Sequence, residues 1–524
     1  MSVDPIFLEV FKNRMISISE EMGVTLSRTA FSPNIKERKD LSCALFDHNG
    51  DMIAQAAHIP VHLGSMPLSV QTAISEIEFE QGDMVVLNDP YLGGTHLPDI
   101  TVIAPVFDES GFPLFYVANR AHHSDVGGMS SGSMPVANSL YQEGVRIPPL
   151  KLLKKGNMDS SLMNLVLSNV RTPVEREGDF SAQIMANLTG INRLLELLSQ
   201  YGREKVVYYS QELMDYSERI IRSTIAKVPD GEYEFVDYMD DDGFGEQDIP
   251  IELLLYVNED NAYLDFSKTG DQVQGSINAV RSILVSSVMY VSRSLVLQDI
   301  PTNSGCLRPL SIYTRKGSLV DARFPAAVAG GNVETSQRIV DVVLGALSRA
   351  VPERLSAASQ GTMNNLSIGG EFADSSFSYY ETIAGGMGAS GISSGESGVH
   401  SHMTNTMNTP VEALESSYPL RVNQYSILRG SGGTGKFKGG DGLIREIEAL
   451  SSCEITVLSE RRNSYPYGLY GGGHGSKGEN LVIGKNDDIQ AMPGKFGINL
   501  DKGDKIRILT PGGGGFGSGQ KTDD

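Results

Sequence analysis

Histidine and aspartate residues that could bind a metal ion are concentrated in two short segments near the N-terminus. The chain contains only nine histidines, so their clustering is informative. The candidates are His96 and Asp99 in segment 88–99, and His122, His123 and Asp125 in segment 119–128. Both segments contain glycines and adjoin predicted strands, which can hold ligands rigidly. Imidazole and carboxylate donors without thiolates suit Zn²⁺, Mn²⁺ or Fe²⁺, and three such ligands leave a position for water.

Hydrogen-bonded loop histidines are the alternative interpretation, because HxxD and HHxxD spacings are not specific to metal sites. The pattern alone leaves both interpretations open. His58 and His62 are four residues apart, but Pro60 between them interrupts the helix that would align them, so we interpret both as structural or substrate-facing. His400 and His402 would share one side of a strand and could line a substrate pocket, whereas a solvated loop is the alternative.

Hydrophobic periodicity predicts a mixed α+β fold that holds these segments. Asp4 followed by Pro5 is typical of a helix start, and apolar residues at helical spacing extend this helix to about residue 28. The predicted strands are 41–47, 84–87, 102–107, 114–119, 233–238 and parts of 251–266. The further predicted helices lie within 158–226, 279–297 and 333–350.

The predicted organisation is one large body of several segments with a glycine-rich, β-dominated C-terminal part. The predicted segments are 1–156 (N-terminal helix and metal-binding strands), 157–228 (helical), 229–430 (central α/β), 431–517 (glycine-rich β) and 518–524 (disordered tail). Residues 430–437 match a P-loop, except that Phe437 replaces the Ser or Thr that binds magnesium, and glycines follow where a helix should begin. We therefore predict that this segment does not bind ATP.

Composition argues against several classes of function. The net charge is −21, and no dense run of Lys and Arg offsets it, so we expect no nucleic-acid partner. The three cysteines, Cys43, Cys306 and Cys453, are far apart, which argues against a disulfide framework and a thiolate zinc site. No window approaches the roughly 18 apolar residues of a membrane helix, and no signal peptide is evident, so we expect a cytoplasmic protein without a membrane partner.

Ten irregular segments together with Arg461 form a longer pattern over nearly the whole chain. The segments are 32–40, 43–47, 88–99, 121–128, 329–338, 380–386, 400–406, 408–412, 466–469 and 510–517. In this order they resemble the hydantoinase B/oxoprolinase family. That family includes the B-type components of ATP-dependent hydantoinases, N-methylhydantoinases and 5-oxoprolinases, and of acetone and acetophenone carboxylases.

The resemblance implies one divalent metal ion (Zn, Mn or Fe) in this chain and a hydantoinase A-like ATPase partner that uses the ATP. It also implies a dimer of such heterodimers. The metal ligands that it implies are His96, Asp99, His122 and Asp40. Our working mechanism adds Asp40 and Asp125 as proton acceptors, and it places Asn332, Glu334, His400 and His402 around the substrate. His123 could replace His122, and Asp125 could orient His122. Glu334 could instead stabilise a helix N-terminus.

The resemblance leads us to expect an enzyme component that opens hydantoin, 5-oxoproline or lactam rings. The partner would phosphorylate the amide carbonyl oxygen, and metal-bound water would attack the activated carbon with Asp40 or Asp125 as the base. A component of an ATP-dependent ketone carboxylase is an alternative, and nothing in the sequence decides between water and an enol carbon as the attacking group. A non-catalytic scaffold for the ATPase is the alternative of another class, against which the metal-type loops argue.

Overall fold

Helices and strands occur in blocks along the chain, and a computed structural model describes residues 3–519. The helices are α1 (Pro5–Thr29), α2 (Pro33–Lys36), α3 (Ser65–Glu76), α4 (Ser160–Leu167), α5 (Pro173–Tyr201), α6 (Arg203–Ile225), α7 (Arg281–Ser294), α8 (Ser336–Ser348) and α9 (Val411–Ser417). The first strands are β1 (Leu41–Asp47), β2 (Met52–Gln55), β3 (Met84–Leu87), β4 (Asp99–Phe107), β5 (Pro113–His122), β6 (Leu150–Lys154) and β7 (Asn157–Met158). The remaining strands are β8 (Gly231–Asp241), β9 (Gln247–Asn258), β10 (Asn261–Asp265), β11 (Leu310–Tyr313), β12 (Asn365–Phe372), β13 (Ser375–Glu381), β14 (Leu420–Leu428), β15 (Gly442–Ala449), β16 (Cys453–Leu458), β17 (Glu479–Ile483), β18 (Ile489–Met492), β19 (Lys495–Leu500) and β20 (Lys505–Leu509). This mixture confirms the predicted α+β class.

The first seven strands form one antiparallel sheet in the order β2-β1-β5-β4-β3-β6-β7. Helices α1 and α5 pack side by side over its centre, where Gly190 of α5 lies against Met22 of α1 and Val117 of β5. The predicted start of α1 is confirmed, because the side chain of Asp4 accepts the N–H of Ile6 at 3.0 Å. The helix predicted over residues 5–28 is therefore present, and its apolar side is buried against the sheet.

The central part of the chain adds helices and a second sheet, with strand order β11-β10-β9-β8. Helices α4, α5 and α6 confirm the helical segment predicted within 158–226. Helix α8 packs on β8, β9 and α7, and α7 also contacts α3, which lies on the N-terminal sheet. Both α7 and α8 lie within predicted helices, and a π-helical turn, Gly331–Thr335, precedes α8.

Two further sheets form the C-terminal part, with the orders β13-β12-β16-β19 and β14-β15-β20-β17-β18. Apolar side chains from both sheets form one hydrophobic cluster. The pairings of β12 with β16 and of β14 with β15 cross the predicted boundary between residues 430 and 431. Residues 431–517 therefore share their sheets with strands that precede them in the chain.

Glycine-rich segments without regular structure pack backbone against backbone in this C-terminal part. The N–H of Gly386 donates to the carbonyl of Pro511 at 3.0 Å, and the N–H of Gly440 donates to that of Met387 at 2.8 Å. A Cβ added at Gly386 would lie 2.0 Å from the carbonyl oxygen of Gly440. Glycine is therefore required here because no side chain fits between the segments.

The P-loop-like segment 430–437 takes part in this packing. The N–H of Gly433 donates to the carbonyl of Gly513 at 2.8 Å, and Phe437 pairs with Phe516 as in a strand. The amides of Gly433, Lys436 and Phe437 are thus bonded to carbonyls, and the amide of Gly432 donates to the carboxylate of Asp441 at 2.8 Å. Irregular chain follows the segment, whereas a P-loop needs a helix N-terminus there.

The C-terminal tail and the lengths of the helices bear on two further predictions. Of the tail predicted for residues 518–524, residues 520–524 lie outside the described part of the chain. Within residues 3–519, no helix combines the length and the apolar character that crossing a bilayer requires.

Replacing Gly386 with alanine should destabilise the protein, because the new Cβ would collide with backbone atoms of two other segments. Overpacking of this kind typically costs about 1–3 kcal/mol, so we expect Gly386→Ala to unfold at a lower temperature in thermal denaturation followed by circular dichroism. Gly497→Ala is the matched control, since the nearest atom to its added Cβ is 3.8 Å away. Equal unfolding temperatures for the two variants would contradict the close packing.

Candidate metal centre

Two neighbouring antiparallel strands bring Asp99 and His122 together at one end of the N-terminal sheet. Asp99 is the first residue of β4, His122 is the last residue of β5, and the two are paired in the strand register. Asp40 precedes β1 at the same end, and its carbonyl accepts the N–H of His122 at 3.0 Å. The carbonyl of His122 accepts the side-chain amide of Asn34 at 2.6 Å. Hydrogen bonds therefore fix the backbone on both sides of His122.

A tight loop before β4 positions His96. Gly93 in this loop has a φ of +91°, and a Cβ added there would lie 2.5 Å from the backbone of Leu68. Only glycine fits such a left-handed position with so close an approach. The side-chain amide of Asn88 donates to two backbone carbonyls, one of which is that of Leu97 at 2.8 Å. These contacts hold the loop that carries His96 against the end of the sheet.

Three donor atoms converge at this point. Nε2 of His96 lies 3.2 Å from Nδ1 of His122, and Oδ1 of Asp99 lies 3.2 Å and 3.3 Å from these two nitrogens. Atoms bound tetrahedrally to one ion at about 2.0–2.1 Å lie roughly 3.3 Å apart, so the spacing fits a divalent metal ion. Within residues 3–519, no other group of three His, Cys, Asp or Glu side chains brings its ligand atoms within 4.8 Å of one another.

Hydrogen bonds hold the second carboxylate oxygen of Asp99. Oδ2 accepts the hydroxyl of Thr95 at 2.5 Å and lies 3.2 Å from Nε2 of His62, whose Nδ1 is 2.9 Å from the hydroxyl of Ser42. Oδ1 has no hydrogen-bond donor in the described part of the chain, which leaves it for an ion. Burial alone would raise the pKa of Asp99, but the imidazoles of His96 and His62 hold this pKa well below its usual value.

His62 is a residue of the centre that the sequence pattern did not assign to it. It ends a 3₁₀ turn, Pro60–His62, which His58 precedes, so the two histidines do not form a pair on one helix. The contact of His62 holds the carboxylate of Asp99 from the side away from the cluster, which is where the partners of metal ligands commonly bind. No local signal in the sequence indicates that this turn faces Asp99.

His122 ends β5 and His123 follows it directly, and their side chains point to opposite sides of the sheet. Nε2 of His123 lies 3.0 Å from Oε1 of Gln183 on α5, and its ring centroid is 5.0 Å from that of Phe180. The structure therefore brings His122 to the cluster and His123 to α5. Burial lowers the pKa of both imidazoles, so a neutral His122 has a lone pair for a metal ion.

The two candidate proton acceptors have different surroundings. Oδ2 of Asp40 lies 3.9 Å from Nη1 of Arg38, and burial raises the pKa of Asp40 against the opposing charges of His122 and Arg38. Asp40 is outside the cluster of three ligand atoms. Asp125 binds Arg171, because Oδ1 accepts the guanidinium at 2.9 Å and Oδ2 accepts the backbone N–H at 2.5 Å. Both oxygens of Asp125 are thus engaged by Arg171, and its hydrogen bonds do not orient His122.

His400 and His402 line a cavity of about 640 Å³, together with Tyr290 and Thr404. The hydroxyl of Tyr290 lies 3.4 Å from Nδ1 of His402. Burial lowers the pKa of both histidines, to about 4 for His400. Both imidazoles are therefore neutral near pH 7.

Asn332 and Glu334 lie in the π-helical turn before α8 and do not line this cavity. Oε1 of Glu334 accepts the side-chain amide of Asn365 at 2.7 Å and the N–H of Met363 at 3.1 Å. Burial raises the pKa of Glu334 to about 8. Glu334 therefore connects the turn to the start of β12, where it is shielded from water.

The sequence profile of the family described as Hydantoinase B/oxoprolinase matches residues 4–519. The chain belongs to the hydantoinase B/oxoprolinase family. It is 41% identical to a 5-oxoprolinase of Dictyostelium discoideum, in a match that covers 98% of this chain and 40% of that protein. The chain thus spans about two fifths of the length of such 5-oxoprolinases. The B component of a putative D-/L-hydantoinase of Pseudomonas sp. is 31% identical, with 98% of this chain and 90% of that protein covered.

Solved structures share the fold of this hydantoinase B/oxoprolinase family member. The crystal structure of ATP-dependent caprolactamase from Pseudomonas jessenii superposes on this chain with a TM-score of 0.91 and 29% sequence identity. The match covers 99% of this chain and 92% of the caprolactamase chain. A nucleotide-free acetone carboxylase structure also has a TM-score of 0.91, with 19% identity and coverages of 98% and 76%. The second similarity concerns the fold alone.

We expect His122→Gln to remove bound metal from this family member and His123→Gln to retain it, because only His122 contributes a donor atom to the cluster. Metal per chain would be measured by elemental analysis of the purified variants. Circular dichroism would check that both variants fold, since both histidines are buried. Equal metal contents, or a loss confined to His123→Gln, would contradict this assignment of the ligand.

Proposed function

We propose that the chain is the metal-carrying component of an ATP-dependent enzyme that opens small cyclic amides, such as hydantoins, 5-oxoproline or lactams. Its main support is the buried convergence of donor atoms from His96, Asp99 and His122 within 3.3 Å of one another. A scaffold has no need of this arrangement. Burying an unpartnered carboxylate oxygen, as at Oδ1 of Asp99, is unfavourable unless a ligand satisfies it.

The names of the relatives support a cyclic amide as the substrate class. Two 5-oxoprolinases that are 40–41% identical and an ATP-dependent caprolactamase that is 29% identical act on ring amides by name. An amide carbonyl is a poor electrophile because the nitrogen lone pair is delocalised into it. Phosphorylation of the carbonyl oxygen would remove this protection and explain the use of ATP.

One divalent ion (Zn²⁺, Mn²⁺ or Fe²⁺) held by His96, Asp99 and His122 would supply Lewis acidity and lower the pKa of a water molecule towards 7. Thr95 and His62 bind Oδ2 of Asp99 and so keep Oδ1 available. Burial excludes bulk water from all three ligands, which are at most 2% exposed. The residues thereby supply a rigid and dry environment for the reaction.

Asp40 is the residue to which we assign proton transfer. Its Oδ2 lies 3.9 Å from the guanidinium of Arg38, too far for a strong hydrogen bond, which leaves the carboxylate free to act as a base. Asp40 would accept a proton from the attacking water and then give it to the ring nitrogen as the C–N bond breaks. This leaves an acyl phosphate, which a second water would hydrolyse to the carboxylate of the opened ring and inorganic phosphate. Asp125 receives no part in this step, since Arg171 engages both of its oxygens.

The cavity of about 640 Å³ beside His400 and His402 is our candidate for receiving the substrate. A neutral imidazole offers one N–H donor and one acceptor, which match the C=O and N–H of a cyclic amide. Tyr290 adds an aromatic wall to the cavity. Asn332 lies outside this lining, and Oε1 of Glu334 is engaged by Asn365 and Met363, so the cavity gives neither residue a contact with substrate.

We further propose that a separate hydantoinase A-like ATPase uses the ATP and phosphorylates the carbonyl oxygen. The relative named as the B component of a hydantoinase supports such a division of labour, as does the bonding of the P-loop-like amides to glycine carbonyls. A cytoplasmic dimer of heterodimers is the assembly that we expect. ATP-dependent carboxylation of a ketone is the alternative reaction that we consider for the same complex.

Co-expression of the chain with its A-like partner provides the test. Purified complex would be analysed for metal and then assayed for ADP release and ring-opened product with hydantoins, 5-oxoproline, lactams and small ketones, with and without bicarbonate. We expect a ring-opened amide product without bicarbonate. Asp40→Asn should lower its rate about 10²–10⁴-fold, as expected for loss of a general base, while metal is retained. His96→Ala should lose both metal and product.

His48→Ala is the matched control. His48 is exposed, and its ring lies near that of Phe112 rather than near the three donor atoms, so this variant removes an imidazole without touching the cluster. We expect this variant to keep wild-type metal content and rate. A product formed only with bicarbonate would move the assignment to a carboxylase. A metal-free wild-type complex, with activity unchanged in His96→Ala, would leave only a scaffold role.

A further inference from the structure

The ring of His122 is held in the metal centre without a hydrogen bond to its second nitrogen. Nδ1 faces Asp99 and His96, but Nε2 has no hydrogen-bond partner within residues 3–519. The second nitrogen of a histidine ligand usually donates to a carboxylate, a carbonyl or water, and this bond fixes the orientation of the ring. Some other contact must therefore orient His122.

The ring of Tyr380, in β13, makes that contact. The two ring centroids are 4.6 Å apart and the ring planes differ by 9°, which is a parallel stack. Both side chains are buried, and the guanidinium of Arg38 also lies over the tyrosine ring, 5.0 Å from its centroid. Because the rings are in contact face to face, the imidazole cannot turn about its Cβ–Cγ bond without colliding with Tyr380.

Tyr380 is in turn tied to an interior acid. Its hydroxyl donates to Oδ1 of Asn365 at 2.7 Å, and Nδ2 of Asn365 donates to Oε1 of Glu334 at 2.7 Å. Asn365 also donates to the carbonyl of Leu458 at 2.9 Å, and Oε1 of Glu334 also accepts the N–H of Met363 at 3.1 Å. All of these groups are buried, so water does not compete for the bonds.

We propose that Glu334, Asn365 and Tyr380 form a positioning chain that sets the orientation of the His122 ring as a metal ligand. The inference rests on the metal site of the proposed function and is independent of the substrate. It gives Glu334 a role that is neither substrate contact nor helix capping. It also makes β12 and β13, from the C-terminal part of the chain, components of a metal centre whose ligands all come from the N-terminal part.

The test uses the full chain loaded with Co²⁺, whose visible absorption bands report ligand geometry. Tyr380→Leu removes the stacked ring and should lower Co²⁺ affinity about 10–100-fold and shift the bands. Tyr380→Phe keeps the stack but loses the bond to Asn365, so it should retain more affinity than Tyr380→Leu while its bands still shift. Glu334→Gln should resemble wild type, because the amide oxygen can accept the bonds of Oε1, whereas Glu334→Leu should resemble Tyr380→Phe.

Tyr379→Leu is the matched control. Tyr379 is the neighbouring residue of the same strand and is equally buried at 2% exposure, but its hydroxyl donates to Glu381 at 2.9 Å and its ring lies 5.1 Å from that of Tyr418. It therefore points away from His122. We expect its Co²⁺ affinity and bands to equal those of wild type, with circular dichroism confirming that every variant is folded.

A folded Tyr380→Leu variant with wild-type affinity and bands would overturn the positioning role and leave the metal centre intact. Equal losses in Tyr379→Leu and Tyr380→Leu would also overturn it, since a general loosening of β13 would explain both. A wild-type chain that binds no Co²⁺ would overturn the metal site of the proposed function, and the positioning chain with it.

Discussion

The register of β4 against β5 is the constraint on which the candidate metal centre depends. It pairs Asp99 with His122 and, two residues further along each strand, Thr101 with Arg120, so that all four side chains share one face. A slip of one residue would turn one ligand to the other face. Nε of Arg120 donates to the hydroxyl of Thr101 at 2.8 Å, and its terminal nitrogens donate to serine hydroxyls of α3. The buried guanidinium thus fixes the register beside the ligands.

On the opposite face of β4 and β5, hydrogen bonds with α5 are compatible only with the same register. Nδ2 of Asn119 donates to the carbonyl of Gln183 and to Oδ1 of Asn187, both at 2.8 Å, and Nδ2 of Asn187 donates to the carbonyl of Val102 at 3.0 Å. The side chain of Gln183 also reaches His123. Any other register would leave buried amides unpaired, at about 1–3 kcal/mol for each. Both faces therefore specify one pairing, although only one of them carries the candidate metal ligands.

Features with local causes could be predicted from the sequence, whereas the details of the centre could not. The cap at Asp4 and the apolar spacing after it determine α1, and the short spacing of His96 and Asp99 brings them together in one turn, in which the N–H of Asp99 donates to the carbonyl of His96 at 3.1 Å. Choosing His122 over its neighbour required knowledge of which face of β5 meets α3. Asp125 is close to His122 in sequence, but an arginine 46 residues further along the chain binds it. His62 reaches Asp99 because the turn Pro60–His62 packs against the start of β4, and no local sequence pattern predicts that packing.

The C-terminal part of the chain contacts the candidate metal centre although it supplies none of the three donor atoms. Its position is fixed by buried charge: Nη2 of Arg461 lies 2.7 Å from Asp237 in β8 and 2.8 Å from Asp341 in α8. Breaking such a pair from one side typically costs about 3–5 kcal/mol, because the remaining charge stays buried. The same part of the chain carries Tyr380 onto the ring of His122. The stacking of Tyr380 on His122 therefore joins β13 of the C-terminal sheets to the end of the N-terminal sheet, so this contact exists only when those sheets are docked.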